Sequence, residues 1–152
     1  NKTAVICDAA QSERQHLEKV AAMYNALGMR VIHMSSAEHD LHAAYVSHLS
    51  HISSFVLANT VLAKEKNANT IFDLAGGGFE STVRLAKSSP EMWSAIFQQN
   101  QTNIVDALEN YILHLQCFHR ALVESKFDES RRLMEDANRI RRVLDTMGSR
   151  KN

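Results

Sequence analysis

No stretch of about 18 apolar residues occurs in this chain of 152, so no membrane-spanning helix and no membrane partner are expected. Neither sign of charge is in excess: 17 lysines and arginines balance 17 aspartates and glutamates. A general nucleic-acid binder would carry a strongly basic face, so that partner class is set aside. A local basic pocket for a small anion is still allowed. Cysteine is limited to Cys7 and Cys117, far apart and in no CxxC pair, which reads as two free thiols in a reducing cytoplasm. The start, NKTAVICDAAQ, has no charged region leading into an apolar one, so no signal peptide is read. It also lacks an initiator methionine and opens directly on strand-like residues. We therefore expect a piece of a longer, cytoplasmic chain. The motifs HExxH, GxxxxGK[ST] and strand–GxGxxG–helix are all missing, so no phosphate fingerprint for a nucleotide is present. No internal repeat appears, and only the tail GSRKN reads as disordered.

What is present begins with TAVIC, a β-branched and apolar run over residues 3–7 that suits a buried strand. Leu17, Val20, Ala21, Tyr24 and Leu27 then follow at helical spacing, with Gly28 where a helix-ending glycine belongs. RVIHM, residues 30–34, reads as a second strand. Together these form a β–α–β unit of ordinary size. Two strands alone make an unstable sheet, which again suggests that the rest of an α/β domain lies upstream.

Everything after Ser36 reads as helical. Ser36 is the expected cap of a helix carrying Leu41, Ala44, Tyr45, Leu49, Ile52, Phe55, Val56 and Leu62. AGGGF is expected to be a turn, because three adjacent glycines lose too much backbone entropy inside a helix. A short helix is expected over 79–87, and Pro90 suits the first turn of the next, capped by Ser88 or Ser89. That next helix holds its apolar spacing to residue 124, which at 1.5 Å per residue would be about 50 Å long. A compact monomer of this size has a radius of gyration of only about 15 Å, so a partner subunit is the natural cover. A last helix is expected over 127–147, with Asp128 and Glu129 in its first turn as the helix dipole favours.

Two dense stretches carry the chemistry. The first, HDLHAAYVSHLSHISSFVLA over 39–58, holds His39, His42, His48 and His51, half of the eight histidines. His48 and His51 lie three apart, on one helix face, where two imidazoles could share an anion, a ligand hydroxyl or a metal. The ordinary alternative is a pair of core-edge histidines bonded to backbone or solvent. His39 and Asp40 form an HD pair of the kind used by helical metal-dependent phosphohydrolases. His33, Asp73 and Asp106 can be nominated as further ligands, but nothing fixes their geometry. Glu13–His16 supplies one ExxH, where a di-iron bundle needs two. The second stretch, AGGGFESTVRLAKSSPEMW over 75–93, contains Arg84, whose planar guanidinium could grip a carboxylate in two places. The neighbouring glycines permit close backbone approach to a ligand. Met92 and Trp93 open the long helix, with core packing as their default role.

HDLHAAYVSHLSH followed by AGGGFESTVRLAKSSPEMW resembles the C-terminal, dimer-forming region of prephenate and arogenate dehydrogenases. In that family a SHLPH-like element precedes a GGF…R…P.MW pattern at about this distance. The resemblance covers essentially the whole chain. It implies a mainly α fold: residues 1–34 as the last β–α–β piece of a Rossmann-like nucleotide-binding domain, and residues 35–152 as an all-helical dimerisation and substrate-binding domain, 6-phosphogluconate dehydrogenase C-terminal-like. It implies NAD(P)-dependent oxidative decarboxylation of prephenate to 4-hydroxyphenylpyruvate in tyrosine biosynthesis, with NAD or NADP held mainly by the upstream domain and no metal. The expected partners are a second copy of the chain, prephenate or arogenate, and tyrosine as a feedback inhibitor.

Carried over residue by residue, the resemblance has Arg84 binding a substrate carboxylate. His51 contacts the substrate or tyrosine, and His48 supports it. Gly77 lets the backbone approach the ligand, and Trp93, with Met92, reaches the active site of the other subunit. Ser50 stands where the family usually has proline. The family's catalytic histidine and glycine-rich cofactor loop lie upstream of these residues, so this chain alone is expected to be inactive. Three rival readings remain. They are another dehydrogenase with a helical second domain, a helical metal-dependent hydrolase using His39, Asp40, His48 and His51, and an interaction module without catalysis.

Overall fold

The computed structural model describes residues 2–68 and 70–149. Strands β1 (Thr3–Cys7) and β2 (Arg30–Met34) have the bounds expected from their β-branched runs. They pair in parallel, Thr3 opposite Arg30 and Cys7 opposite Met34. A parallel pair needs a crossover, and α1 (Arg14–Ala26) supplies it. Gly28, at φ 70°, ends α1 in a left-handed cap. Its N–H donates to Asn25 O at 2.9 Å, and Met29 N–H donates to Tyr24 O at 3.0 Å, the paired bonds of a Schellman motif. Cys7 and Cys117 are free thiols.

The next helical run is α2 (Ser36–Ala43), a π-helical turn (Ala44–His48) and α3 (Leu49–Ala68). Its cap is Ser35, not the expected Ser36. Ser35 Oγ accepts from Glu38 N–H at 3.2 Å, and the Glu38 carboxylate accepts from Ser35 N–H at 2.8 Å. This reciprocal capping box satisfies two orphan donors at once. Ser36 instead donates its N–H to the Asp8 carboxylate at 3.0 Å. The Ser36 hydroxyl and N–H hold the Asp8 carboxyl below the usual carboxylate range. That tie is present above the ordinary aspartate range and is lost as pH falls through the lowered value. Ser50 does not disturb α3, and its hydroxyl donates back to Val46 O at 3.3 Å. The irregular turn lies just before it, in the π segment.

The glycine triplet is only partly outside helix. Gly76 is the extended N-cap, while Gly77 and Gly78 form the first turn of α4 (Gly77–Val83), closed by Glu80 N–H to Gly76 O at 3.1 Å. A 3-10 turn, Arg84–Lys87, follows. Helix α5 (Pro90–Gln99) starts at Pro90 with Ser89 as cap, its Oγ accepting from Met92 N–H at 3.2 Å.

The single helix expected over 90–124 is two helices. Asn100 leaves helical geometry at φ −114°, ψ 29°, and α6 (Gln101–Val123) begins after it. The last helix also divides, into α7 (Phe127–Ala137) and α8 (Ile140–Ser149), at Asn138, a weak helix former. Gly148 and Ser149 of the expected disordered tail belong to α8, and its last three residues lie outside the described ones. None of the described helices is long and apolar enough to cross a membrane.

The chain divides into two compact units, residues 1–39 with 110–152, and residues 40–109. The boundary drawn from sequence after residue 34 falls inside the first. The core of the second is Ala44, Ile104 and Ala107, with Ile52 and Phe97 packed against it. Tyr45 donates its hydroxyl to Asp106 at 2.8 Å in the same unit.

A second Schellman cap ends α6, with Ser125 N–H to Leu122 O at 3.1 Å and Lys126 N–H to Ala121 O at 2.8 Å. Here the left-handed residue is Ser125, at φ 54°. An L side chain in this region costs about 1–2 kcal/mol. Gly28→Ala should therefore lower stability in urea denaturation by about that amount, and Ser125→Gly should raise it. Shifts of the same sign for both would contradict the cap assignments.

Candidate functional site

The second unit gathers most of the residues singled out from sequence. The π turn brings His48 to a buried position, 8% exposed. His51 follows one turn later on α3, and its ring stacks on the Trp93 indole with centroids 3.6 Å apart and planes 27° apart. His48 meets the same indole edge-on at 5.9 Å, and Phe97 at 6.4 Å. Trp93 and Phe97, one turn apart on α5, are 5.5 Å apart. Trp93 is 7% exposed and packed inside its own chain, whereas Met92 beside it is 51% exposed. The proline and Ser89 cap fix where α5 starts, and so which of these two neighbours turns inward.

Polar contacts orient both imidazoles. His51 Nδ1 lies 3.0 Å from Ser47 O, one turn earlier on its own helix. His48 Nδ1 lies 3.3 Å from Asn100 Nδ2. That same amide donates to Asp40 O at 2.7 Å. Asn100 was not a candidate from sequence, where it falls inside the helix expected over 90–124 and carries no local sign of its role. The Trp93 Nε1–H is buried without an acceptor among the described residues. An unmade bond of this kind costs about 1–3 kcal/mol.

Arg84 is held by a different polar residue that the sequence reading passed over. Ser54 is 1% exposed, three residues beyond His51 and so on the same side of α3. Its hydroxyl donates to Thr82 O at 3.0 Å and accepts from Ala86 N–H at 3.1 Å. These partners lie two residues either side of Arg84, so the junction of α4 and the 3-10 turn is pinned to the helix that carries the histidines. Arg84 itself is exposed and has no acid paired with it among the described residues. Gly76, Gly77 and Gly78 have ordinary φ, and a Cβ at any of them would meet nothing within 4 Å. Neither backbone strain nor packing within the chain demands glycine there. Beside them lies an apolar hollow of about 270 Å³, lined by Val61, Ile71, Phe72, Leu74, Ala75 and Phe79.

No three histidine, cysteine, aspartate or glutamate side chains among the described residues converge on a point that could hold a metal. The metal-dependent hydrolase reading, which needs such a set, is not supported. The β1–α1–β2 unit carries no glycine-rich turn of the kind that cradles a dinucleotide phosphate.

Over residues 35–136 the chain matches the family described as prephenate dehydrogenase, dimerization domain. It belongs to that family. Among curated proteins it is 26% identical over 143 residues to the cyclohexadienyl dehydrogenase of Zymomonas mobilis, covering 93% of this chain and 49% of that one. It is 27% identical over 112 residues to the prephenate dehydrogenase of Bacillus subtilis, covering 74% of this chain and 30% of that one. Among solved structures it superposes with a TM-score of 0.83 on Aquifex aeolicus prephenate dehydrogenase in complex with hydroxyphenyl propionate and NAD+. The identity there is 27%, over 93% of this chain and 50% of the other. The chain thus spans half or less of the length of these relatives. The likeness covers 93% of this chain, and the mainly helical fold with its small parallel sheet is consistent with the helical C-terminal domain of these dehydrogenases.

Ser54→Ala would leave the Ala86 N–H and the Thr82 carbonyl without their partner. It should cost about 1–3 kcal/mol in urea denaturation; a loss below 0.5 kcal/mol, by the same scale, would show that the two bonds do not hold this junction. A double-mutant cycle on His51 and Trp93 should give a coupling of about 0.5–1.5 kcal/mol, the worth of a stacked pair. A coupling indistinguishable from zero would contradict the stack.

Proposed function

We propose that this chain is the dimerisation and substrate-binding part of a prephenate or arogenate dehydrogenase. The full-length enzyme would carry out NAD(P)-dependent oxidative decarboxylation. The observation that carries the reading is the match of residues 35–136 to the family's dimerisation domain, with the His48–His51–Trp93 cluster and Arg84 inside it. In this reading Arg84 binds a carboxylate of the substrate. An exposed guanidinium on a pinned turn, with no acid of its own, suits that role. Gly77 lets the backbone approach the ligand, which would explain a glycine that the fold does not require. His51 contacts the substrate or the feedback inhibitor tyrosine, supported by His48.

The nicotinamide cofactor, NAD or NADP, would accept the hydride and be held by the domain that this chain lacks. The chain's own contribution is to bind and orient an anionic substrate. We further propose that the protein is a homodimer and cytoplasmic. Val46, Val56 and Leu74 of the second unit, and Leu122 and Val123 of the first, are exposed apolar side chains that a second copy could cover. Trp93, with Met92, would reach the active site of the other subunit; within its own chain the Trp93 indole also stacks on His51.

In the full-length protein, offered prephenate and arogenate with NAD and with NADP, turnover of at least one pair is expected. Arg84→Ala should raise the Michaelis constant about ten- to a hundredfold, since a bond to a charged group is worth about 1.5–3 kcal/mol. A change below twofold would remove Arg84 from the site. Light scattering should give a dimer, and a clean monomer at micromolar concentration would count against the assembly.

A further inference from the structure

The orientation of the Asn100 amide is set by its neighbours. Asp40 O, 2.7 Å from Nδ2, can only accept, so the amide nitrogen must be the end that faces it. At the other end, Oδ1 accepts from Asn103 Nδ2 at 2.8 Å. The second hydrogen on Asn100 Nδ2 is then the one directed at His48 Nδ1, 3.3 Å away. A ring nitrogen that accepts a hydrogen bond carries no proton. We propose that Asn100 is a positioning residue that holds neutral His48 with its proton on Nε2 and its lone pair on Nδ1.

His51 is held the other way. Its Nδ1 faces a backbone carbonyl, Ser47 O, so Nδ1 donates and the lone pair sits on Nε2. Two histidines one turn apart are thereby fixed as opposite tautomers. The difference divides their roles. His51 can take a second proton on Nε2 and keep its bond to Ser47, presenting a cation to an anionic ligand. His48 cannot gain a proton on Nδ1 without setting an N–H against the Asn100 amide N–H, so it is kept as a neutral support. This division of roles rests on the substrate-binding reading above; the tautomers themselves do not.

The test is a two-bond proton–nitrogen correlation spectrum of the full-length protein labelled with ¹⁵N-histidine, recorded where histidines are neutral. Resonances are assigned with His48→Gln and His51→Gln. His48 should show the Nε2–H pattern and His51 the Nδ1–H pattern. A proton on His48 Nδ1 overturns the proposal without any further variant. Asn100→Asp replaces the donor with an acceptor and should move the His48 proton to Nδ1. An unchanged Nε2–H pattern in that variant, with native circular dichroism, also overturns it. In turnover, Asn100→Asp should raise the Michaelis constant for prephenate about two- to tenfold, the range of one neutral hydrogen bond, with a smaller change in kcat. A shifted tautomer with an unchanged Michaelis constant would remove the positioning role. If the wild-type protein turns over neither prephenate nor arogenate, the functional reading fails, and the tautomer assignment is then decided by the spectra alone.

Discussion

The arrangement of the second unit depends on one side-chain amide. Asn100 interrupts what would otherwise be a single helix from Pro90 onward, and its side-chain amide nitrogen bonds to Asp40 O and His48 Nδ1. Asparagine competes with the backbone for hydrogen bonds more readily than most residues, so a break here costs little locally. What it gains is a link between three segments: the end of α5, the turn before the π segment, and the histidine itself. With Asn100 8% exposed, those bonds replace water rather than add to it. Losing both would leave the buried Asn100 amide nitrogen unpaired.

The aromatic packing follows from that link. Trp93 and Phe97 sit two turns and one turn before Asn100, and both meet the His48 ring that Asn100 engages. The π turn matters for the same reason. One extra residue per turn shifts the direction of the side chains beyond it, and the buried residues of the turn are its first and last, Ala44 and His48. Ala44 belongs to the small apolar core with Ile104 and Ala107, and His48 to the polar cluster. Core and cluster are therefore two sides of a single irregular turn.

Much of this was legible in the residues. Both strands, the glycine that ends α1, the helical character after residue 35 and the Pro90 start were read from local pattern, because β-branching, left-handed φ and the missing proline N–H act on the residue that carries them. The family motif brought His48, His51, Arg84 and Trp93 into view together. What was missed shares one physical feature. Ser35 rather than Ser36 caps α2 because Glu38 can reach back only to the residue three before it. Asn100 breaks a helix because of partners 52 and 60 residues away. Ser54 looks like any small residue of an apolar helix, and its importance comes from a carbonyl and an N–H on another segment. Side-chain-to-backbone hydrogen bonds decided these cases, local at Ser35 and tertiary at Asn100 and Ser54, and intrinsic preferences separating the alternatives are only tenths of a kcal/mol.

The polar residues of this unit then fall into two groups. Ser54 and Ser89 are accounted for by bonds inside the chain, and removing them from the functional argument loses nothing chemical; Asn100 is bonded inside the chain too, but acts on the proposed site through His48. Arg84, the glycines before α4 and the indole N–H of Trp93 are not so accounted for. The first has no acid, the second occupy positions where a Cβ would fit, and the third is buried without an acceptor among the described residues. Folding selects against unpaired buried donors and gives no reason to prefer glycine where φ is ordinary. Residues that the fold tolerates without using are those whose partners must come from outside it. An anion bound by Arg84, close to a glycine backbone, would account for two of the three. The indole N–H, buried against the His51 ring, calls for a separate acceptor of its own.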